Sequence, residues 1–193
     1  MKKAILTAII CFCMTITYSQ NTFNLPTGFQ TFKDSEGKES RSDGDFDGDG
    51  INDLAILCTS QDQSTIVVVY LGGKYLVDQS YYWFPSNSEL TFIAFNNSVL
   101  TITQSDCAGK CYTDLKFKYY SNINNMKLIG YDEGNYGSGY SNEGAYKKSI
   151  NLNTGEYEIS GVKRKVTTDL ITLSNVEKYF SYLNSVGANY IGK

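Results

Sequence analysis

The stretch STIVVVYL, residues 64–71, decides the fold class of this chain. Its β-branched and aromatic residues favour an extended strand. Gly72 and Gly73 follow, and glycine can take the positive φ angles of a tight hairpin turn. Residues 74–77 then return as the predicted partner strand. The sequence therefore predicts an antiparallel hairpin at this point.

Further pairs of short strands, separated by polar turns, predict more hairpins along the chain. Ser174 and Glu177 have the spacing of a helix capping box, which predicts a short C-terminal helix. We therefore expect a mainly β fold of antiparallel hairpins that forms a sandwich or an open barrel, with that helix at its end. The predicted strand pairs are 90–95 with 99–103, 115–120 with 126–131, and 148–152 with 156–160.

The first residues have the pattern of a secretory signal. Lys2 and Lys3 precede an apolar-to-neutral run over residues 4–16, and Ser19 supplies the small residue at the predicted cut. We expect residues 1–19 to be a signal peptide and residues 20–193 to form a single β-rich domain. No later run is long and apolar enough to span a membrane, so we expect a periplasmic or extracellular protein.

The charge balance disfavours nucleic acid as a partner. The chain has 17 basic and 20 acidic residues and a formal net charge of −3, which becomes more negative when Lys2 and Lys3 leave with the signal. Affinity for phosphate depends on clustered lysine and arginine. The basic residues 163–165 lie in an alternating stretch, which we interpret as a solvated strand face or a guarded sheet edge.

Three cysteines follow the predicted signal: Cys58, Cys107 and Cys111. In an oxidising compartment Cys107 and Cys111 can close a small loop, and we prefer this pairing over the alternatives because Cys58 sits in an apolar strand, where a buried free thiol is common. Two cysteines at this spacing, without histidine or a second cysteine pair, are weak evidence for zinc.

Residues 43–54, DGDFDGDGINDL, predict a metal site. Four carboxylates, those of Asp45, Asp47, Asp49 and Asp53, repel one another at neutral pH unless a divalent cation lies among them. Glycines between them allow a turn that points the acids inward, and such oxygen ligands suit Ca2+. An EF-hand is excluded in this frame because its twelfth position, counted from Asp45, is Ile56. The alternative interpretation is a solvated acidic turn without an ion.

The spacing DxDxDGxxDL, followed by an apolar strand, resembles the calcium loop of FG-GAP and VCBS-type repeats. This resemblance implies that the side chains of Asp45, Asp47, Asp49 and Asp53 and the backbone carbonyl of Ile51 face a Ca2+ ion. It covers about a dozen residues, in a single copy. Because a propeller needs several blades, the calcium is expected to fix a turn in a different β fold.

The absence of histidine excludes Ser-His and Cys-His nucleophile pairs and histidine-ligated zinc hydrolases. The absence of histidine does not exclude carboxylate catalysis, since a glycosidase needs only two acids that flank the scissile bond. The candidate acids are Asp106, Asp132, Glu133 and Glu143, the last three of which bracket the glycine-rich residues 133–144.

We expect a non-enzymatic binding or interaction module of the bacterial envelope, with a structural calcium ion and a protein or glycan ligand. The alternatives are a small carboxylate-dependent glycan hydrolase and an inhibitor or immunity-type protein. Tyr136, Tyr140 and Tyr146 are the best candidates for exposed aromatic contacts, because their surroundings are polar and glycine-rich.

Overall fold

The structure is a computed structural model that describes residues 25–62, 64–72, 76–81, 91–106, 108, 110–137 and 144–190. The predicted signal peptide lies outside this part of the chain. The described residues form two antiparallel sheets and a short C-terminal helix, which confirms the predicted mainly β class.

The first sheet has five strands: β1 (Phe29–Thr31), β2 (Arg41–Gly44), β3 (Asp53–Ser60), β4 (Thr65–Leu71) and β5 (Leu76–Tyr81). Its order is β1-β3-β4-β5, and β2 also pairs with β3. β1 pairs with the end of β3 and β2 pairs with its beginning, so that the acidic loop leaves β2 and returns directly into β3. The polar composition of residues 34–42 favours a solvated lead-in, but Arg41–Gly44 is a strand because its backbone completes this edge of β3.

The second sheet is a meander of seven strands in sequence order, from β6 at one edge to β12 at the other. All its neighbours are antiparallel, as hairpins require. The basic strand lies at the sheet edge, as predicted, and every one of its residues is exposed. The strands are β6 (Thr91–Asn96), β7 (Val99–Asp106), β8 (Cys111–Tyr120), β9 (Asn125–Asn135), β10 (Tyr146–Asn151), β11 (Glu156–Ile159) and β12 (Val162–Lys165).

The core lies between the two sheets and beneath helix α1 (Val176–Ser185), which a short 3-10 helix (Ala188–Tyr190) follows. Alternate residues of β3 and β4, such as Leu57 and Val69, pack there with Leu100, Phe117 and Leu128 of the second sheet. The other face of β3 and β4 is buried in a second apolar cluster that includes Ile56 and Val68. This double burial explains the unbroken apolar run of residues 66–69.

Two predictions of local geometry were wrong: the capping of α1 by Ser174 and the positive φ of Gly72. Asn175, rather than Ser174, is the N-cap residue of α1, and it makes no side-chain capping bond because its Oδ1 accepts a hydrogen bond from the backbone N–H of Thr172. Gly72 does not have the predicted positive φ. Glycine is required at position 72 because a Cβ there would lie 2.4 Å from the carbonyl oxygen of Asn52. Gly73 lies outside the described residues.

Candidate metal centre

The loop between β2 and β3 brings three of the predicted metal ligands together. One carboxylate oxygen from each of Asp45, Asp47 and Asp49 lies within 4.8 Å of the other two. Asp45 and Asp47 are half-buried, and Asp49 is exposed. Because calcium–oxygen distances are about 2.3–2.6 Å, two ligands of one ion are at most about 5 Å apart. The cluster therefore has the dimensions of a calcium ligand group.

Asp45 organises the backbone of this loop. Its Oδ1 accepts hydrogen bonds from the backbone N–H of Gly48, at 2.7 Å, and of Asp49, at 3.0 Å, while its Oδ2 accepts one from Gly50 at 2.9 Å. Gly48 and Gly50 have φ angles of +81° and +82°, which other residues rarely adopt. The two glycines thus allow the turn that the sequence predicted, and in the structure this turn curls around the Asp45 carboxylate.

Asp53 has a different role in the structure from that of the other three acids. It is 3% exposed, and its two oxygens accept hydrogen bonds from the backbone N–H of Phe46, at 2.6 Å, and of Gly72, at 2.8 Å. Burial raises the pKa of Asp53, and these N–H bonds offset only part of the effect. Asp53 therefore anchors the loop to the end of β4. Its predicted metal contact, like that of the Ile51 carbonyl, stays a prediction.

Phe46 is a second anchor, one that the sequence analysis did not identify. Its side chain is 3% exposed and packs between the sheets against Phe95, with the ring centroids 4.4 Å apart. A Cβ at Gly44 would lie 2.4 Å from the Phe95 ring, so this contact also needs a glycine at the end of β2. The sequence feature that could have indicated this anchor is a single aromatic residue inside an acidic loop.

Arg41 is the basic residue nearest to the cluster in sequence, but its ion pairs are with two other acids. Its guanidinium pairs with Asp43 and, at 3.7 Å, with Glu39. The hydrogen bond to Asp43 raises the pKa of Arg41 even though burial opposes it. Asp43 is accordingly outside the group of three acids.

The candidate catalytic acid Glu133 lies in a buried network below α1. Its Oε2 is 2.7 Å from Lys148 Nζ and accepts a hydrogen bond from Tyr131 at 2.7 Å, while its Oε1 accepts one from the Tyr146 hydroxyl. Burial alone raises the pKa of Glu133, but the bonds from Lys148, Tyr146 and Tyr131 more than offset this, and the pKa lies below its ordinary value.

Lys148 joins this network to the end of the helix. Its side chain is 0% exposed, and its ammonium also donates to the carbonyls of Leu183, at 3.1 Å, and Asn184, at 2.9 Å. All three ammonium protons therefore have acceptors, and a positive charge at a helix C-terminus is favourable. Lys148 was not among the residues predicted from the sequence, although its alternation with Ile150 in β10 marks an inward-facing position.

The candidate acids are not brought together as a catalytic pair. Asp132 and Glu133 are adjacent in β9 and point to opposite faces of the sheet, and Asp132 pairs with Lys116 on the outer face. A glycosidase needs both acids beside one bond. The side chain of Asp106 and the whole of Glu143 lie outside the described residues.

The predicted exposed tyrosines divide into two kinds. Tyr136 is 67% exposed, as predicted. Tyr146 is half-buried, and burial, together with its hydrogen bond to Glu133, raises its pKa, so the prediction of exposure was wrong for this residue. It faces the core side because it alternates with the buried Lys148. Tyr140 lies outside the described residues.

Cys58 is a free, buried thiol, as the preferred pairing predicted, and burial raises its pKa to about 12. Cys111 is in a disulfide. Cys107, its predicted partner, lies outside the described residues.

Comparison of the chain with protein-family models, curated proteins and solved structures returned no match. In the described part of the chain, no helix has both the length and the apolar character needed to cross a membrane.

Proposed function

We propose that this protein is an exported β domain of the bacterial envelope that acts as a binding module and carries one structural Ca2+ ion in the loop between β2 and β3. The proposal depends on one observation, the convergence of the Asp45, Asp47 and Asp49 carboxylates within 4.8 Å. In its spacing the loop resembles the calcium loops of FG-GAP and VCBS-type repeats.

The donor set fits calcium better than a transition metal. Carboxylate oxygens are hard ligands, and neither histidine nor cysteine is in the group. Ca2+ takes six to eight oxygen ligands in flexible geometry, whereas Mg2+ needs a near-ideal octahedron. Asp53, the Ile51 carbonyl and water are the proposed remaining ligands.

The position of the loop gives the ion a structural role. The loop is short, begins at a strand and ends at a strand of the same sheet, and is held to the core by Phe46 and Asp53. An ion that binds only the folded loop stabilises the whole domain by mass action, by about 2.7 kcal/mol at a concentration one hundred times its Kd.

Thermal unfolding in Ca2+, in Mg2+ and in chelator tests this proposal. We expect the melting temperature to rise with Ca2+ and fall with chelator, and the double substitution Asp47→Ala, Asp49→Ala to abolish the difference. A control with Glu36→Ala and Glu177→Ala removes the same charge at exposed positions away from the loop and should keep the calcium response. An unchanged melting curve in chelator would refute the metal site.

The hydrolase alternative has no comparable support. Glu133 is committed to a buried ion pair and two tyrosine hydroxyls. No observation favours the inhibitor alternative either. A binding module with a protein or glycan ligand remains our proposal.

A further inference from the structure

Two tyrosines form a flat aromatic surface on the outer face of the second sheet. The ring of Tyr112 lies across Gly134, where a Cβ would be 2.5 Å from its Cε1. Tyr136 stacks beside it, with ring centroids 5.6 Å apart and planes at 29°. Neither ring belongs to the apolar core. Glycine at position 134 therefore lets a phenol ring lie flush with the sheet.

Both lysines and carboxylates lie around these rings, and the carboxylates of Asp132 and Asp114 add to the effect of burial in raising the pKa of Tyr112. Lys147 is exposed on β10 and is in register with Gly134, the residue that the Tyr112 ring covers. Lys110 is exposed, and its carbonyl accepts a hydrogen bond from the N–H of Tyr136. Within the described part of the chain, neither lysine is in an ion pair.

The acids on the same face are already engaged. Asp132 pairs with Lys116, and Asp114 accepts a hydrogen bond from the Thr103 hydroxyl at 2.7 Å. Among the described residues, Lys110 and Lys147 thus stay without an ion pair, whereas Asp114 and Asp132 each have a partner. A ligand on this surface gains by carrying negative charge and by presenting an apolar face to the rings.

We propose that the surface formed by Tyr112, Tyr136, Lys110 and Lys147 binds an acidic polysaccharide. The C–H face of a pyranose ring packs on a tyrosine ring, and a uronate carboxylate forms charge-assisted hydrogen bonds with a lysine. This inference rests on the proposed function only in treating the domain as a binding module. The metal site lies in the other sheet and takes no part in these contacts.

Single-stranded nucleic acid also combines negative charge with stacking bases. Two lysines on a chain of net charge −3 supply little of the phosphate neutralisation that such binding requires. Nucleic acid is accordingly a competing outcome in the test.

Titration calorimetry on the full chain with a hyaluronan hexasaccharide tests the inference. Chitohexaose is the matched neutral probe, because it has N-acetylglucosamine but no carboxylate. We expect hyaluronan to bind, chitohexaose to bind at least about tenfold more weakly, a difference of about 1.4 kcal/mol, and a thymidine hexanucleotide to bind no better than chitohexaose. No hyaluronan binding, equal binding of the neutral sugar, or tighter binding of the hexanucleotide would each overturn the inference.

Variants place the ligand on the surface. Tyr136→Ala should weaken hyaluronan binding about tenfold, and Lys147→Gln should weaken it less and reduce its dependence on salt. Lys118→Gln is the control, since Lys118 is an exposed lysine of the same face further along β8. Unchanged binding in Tyr136→Ala, or an equal loss in Lys118→Gln, would contradict the site.

Self-association and metal binding are tested separately from sugar binding. Sedimentation of the free chain should show a monomer; a dimer that Tyr136→Ala dissociates would mean that a second copy covers the rings, and would overturn the proposal. Melting curves of Tyr136→Ala in Ca2+ and chelator should match those of the unmodified protein. Loss of sugar binding with an intact calcium response therefore concerns this surface alone.

Discussion

The acidic loop and the buried network below α1 use charge in opposite ways. In the loop, three carboxylates lie together near the surface, and backbone N–H groups hold Asp45 in place. In the network, Glu133 and Lys148 form an ion pair at 2.7 Å. Tyrosine hydroxyls donate hydrogen bonds to Glu133, and helix carbonyls accept hydrogen bonds from Lys148. The network is complete within the chain, whereas the loop brings together three carboxylates that could hold a cation.

This difference explains which acids are suited to function. A carboxylate that is fully hydrogen-bonded and paired in the core stabilises the fold and has little capacity left for a ligand. Carboxylates that converge without a cationic partner repel one another and gain most from an added ion. Asp53 belongs to both groups, since it ends the acidic motif but is buried and bonded like Glu133.

The largest effect should come from breaking the buried pair. We expect Lys148→Met to lower the free energy of unfolding by about 3–5 kcal/mol, because it leaves the Glu133 charge without its cation and removes the donor to two helix carbonyls. Urea unfolding measures the loss. A change below about 1 kcal/mol would show that the pair is dispensable.

The double variant Lys148→Met, Glu133→Gln sharpens this result. It removes the uncompensated charge, so it should be more stable than Lys148→Met alone. Lys163→Met is the control, since Lys163 is exposed and lies 3.7 Å from an exposed Glu158. It should leave the unfolding curve nearly unchanged.

The next largest effect should come from Asp53→Ala. This change leaves the backbone N–H groups of Phe46 and Gly72 without their acceptor, and hydrogen bonds to a charged group contribute about 1.5–3 kcal/mol each. Unfolding should be measured in chelator and in Ca2+. An anchor alone gives the same loss in both, whereas an added ligand role gives a larger loss in Ca2+. No loss in chelator would contradict the anchor.

Glu133 should also give the protein a distinct response to acid. Its pKa in the folded state lies below its ordinary value of 4.5, so its contribution to stability is complete above 4.5 and is lost as the pH falls through the folded-state pKa. The difference in unfolding free energy between the unmodified protein and Glu133→Gln should therefore shrink as the pH falls below 4.5. A difference that stays constant or grows would contradict the assigned direction.

The fold could be predicted largely from local pattern. The strands alternate or run apolar as their burial requires, and the hairpin turns carry residues such as Asn97 and Gly155 that adopt positive φ in the structure. Strand limits were less accurate, since β8 and β9 extend well beyond the predicted 115–120 and 126–131. Their polar ends pair through backbone hydrogen bonds, which composition does not reveal.

The candidate site could be predicted only where its residues are close in sequence. Asp45, Asp47 and Asp49 converge because a short loop and two glycines suffice to bring them together. The use of Asp53 as an anchor depends on Gly72, 19 residues later in the sequence. Glu133 meets Lys148, 15 residues later, because the two are opposite each other in the register of β9 and β10. Such partners are determined by the fold, which local sequence does not reveal.

The smallest effect concerns the repulsion among the loop acids. In chelator, Asp49→Asn keeps the side-chain oxygen that accepts the N–H of Ile51, at 2.8 Å in the structure, but removes one negative charge from the group of three. We expect the melting temperature without metal to rise by about 1–2 °C, because like charges are relieved. In Ca2+ the same change should lower the melting temperature, because the ion loses a charged ligand. Scanning calorimetry in chelator and in Ca2+ tests this prediction. A purely solvated acidic turn would give the rise in melting temperature in chelator without the fall in Ca2+. The control is the buried Glu133→Gln, whose effect on the melting temperature should not depend on the metal.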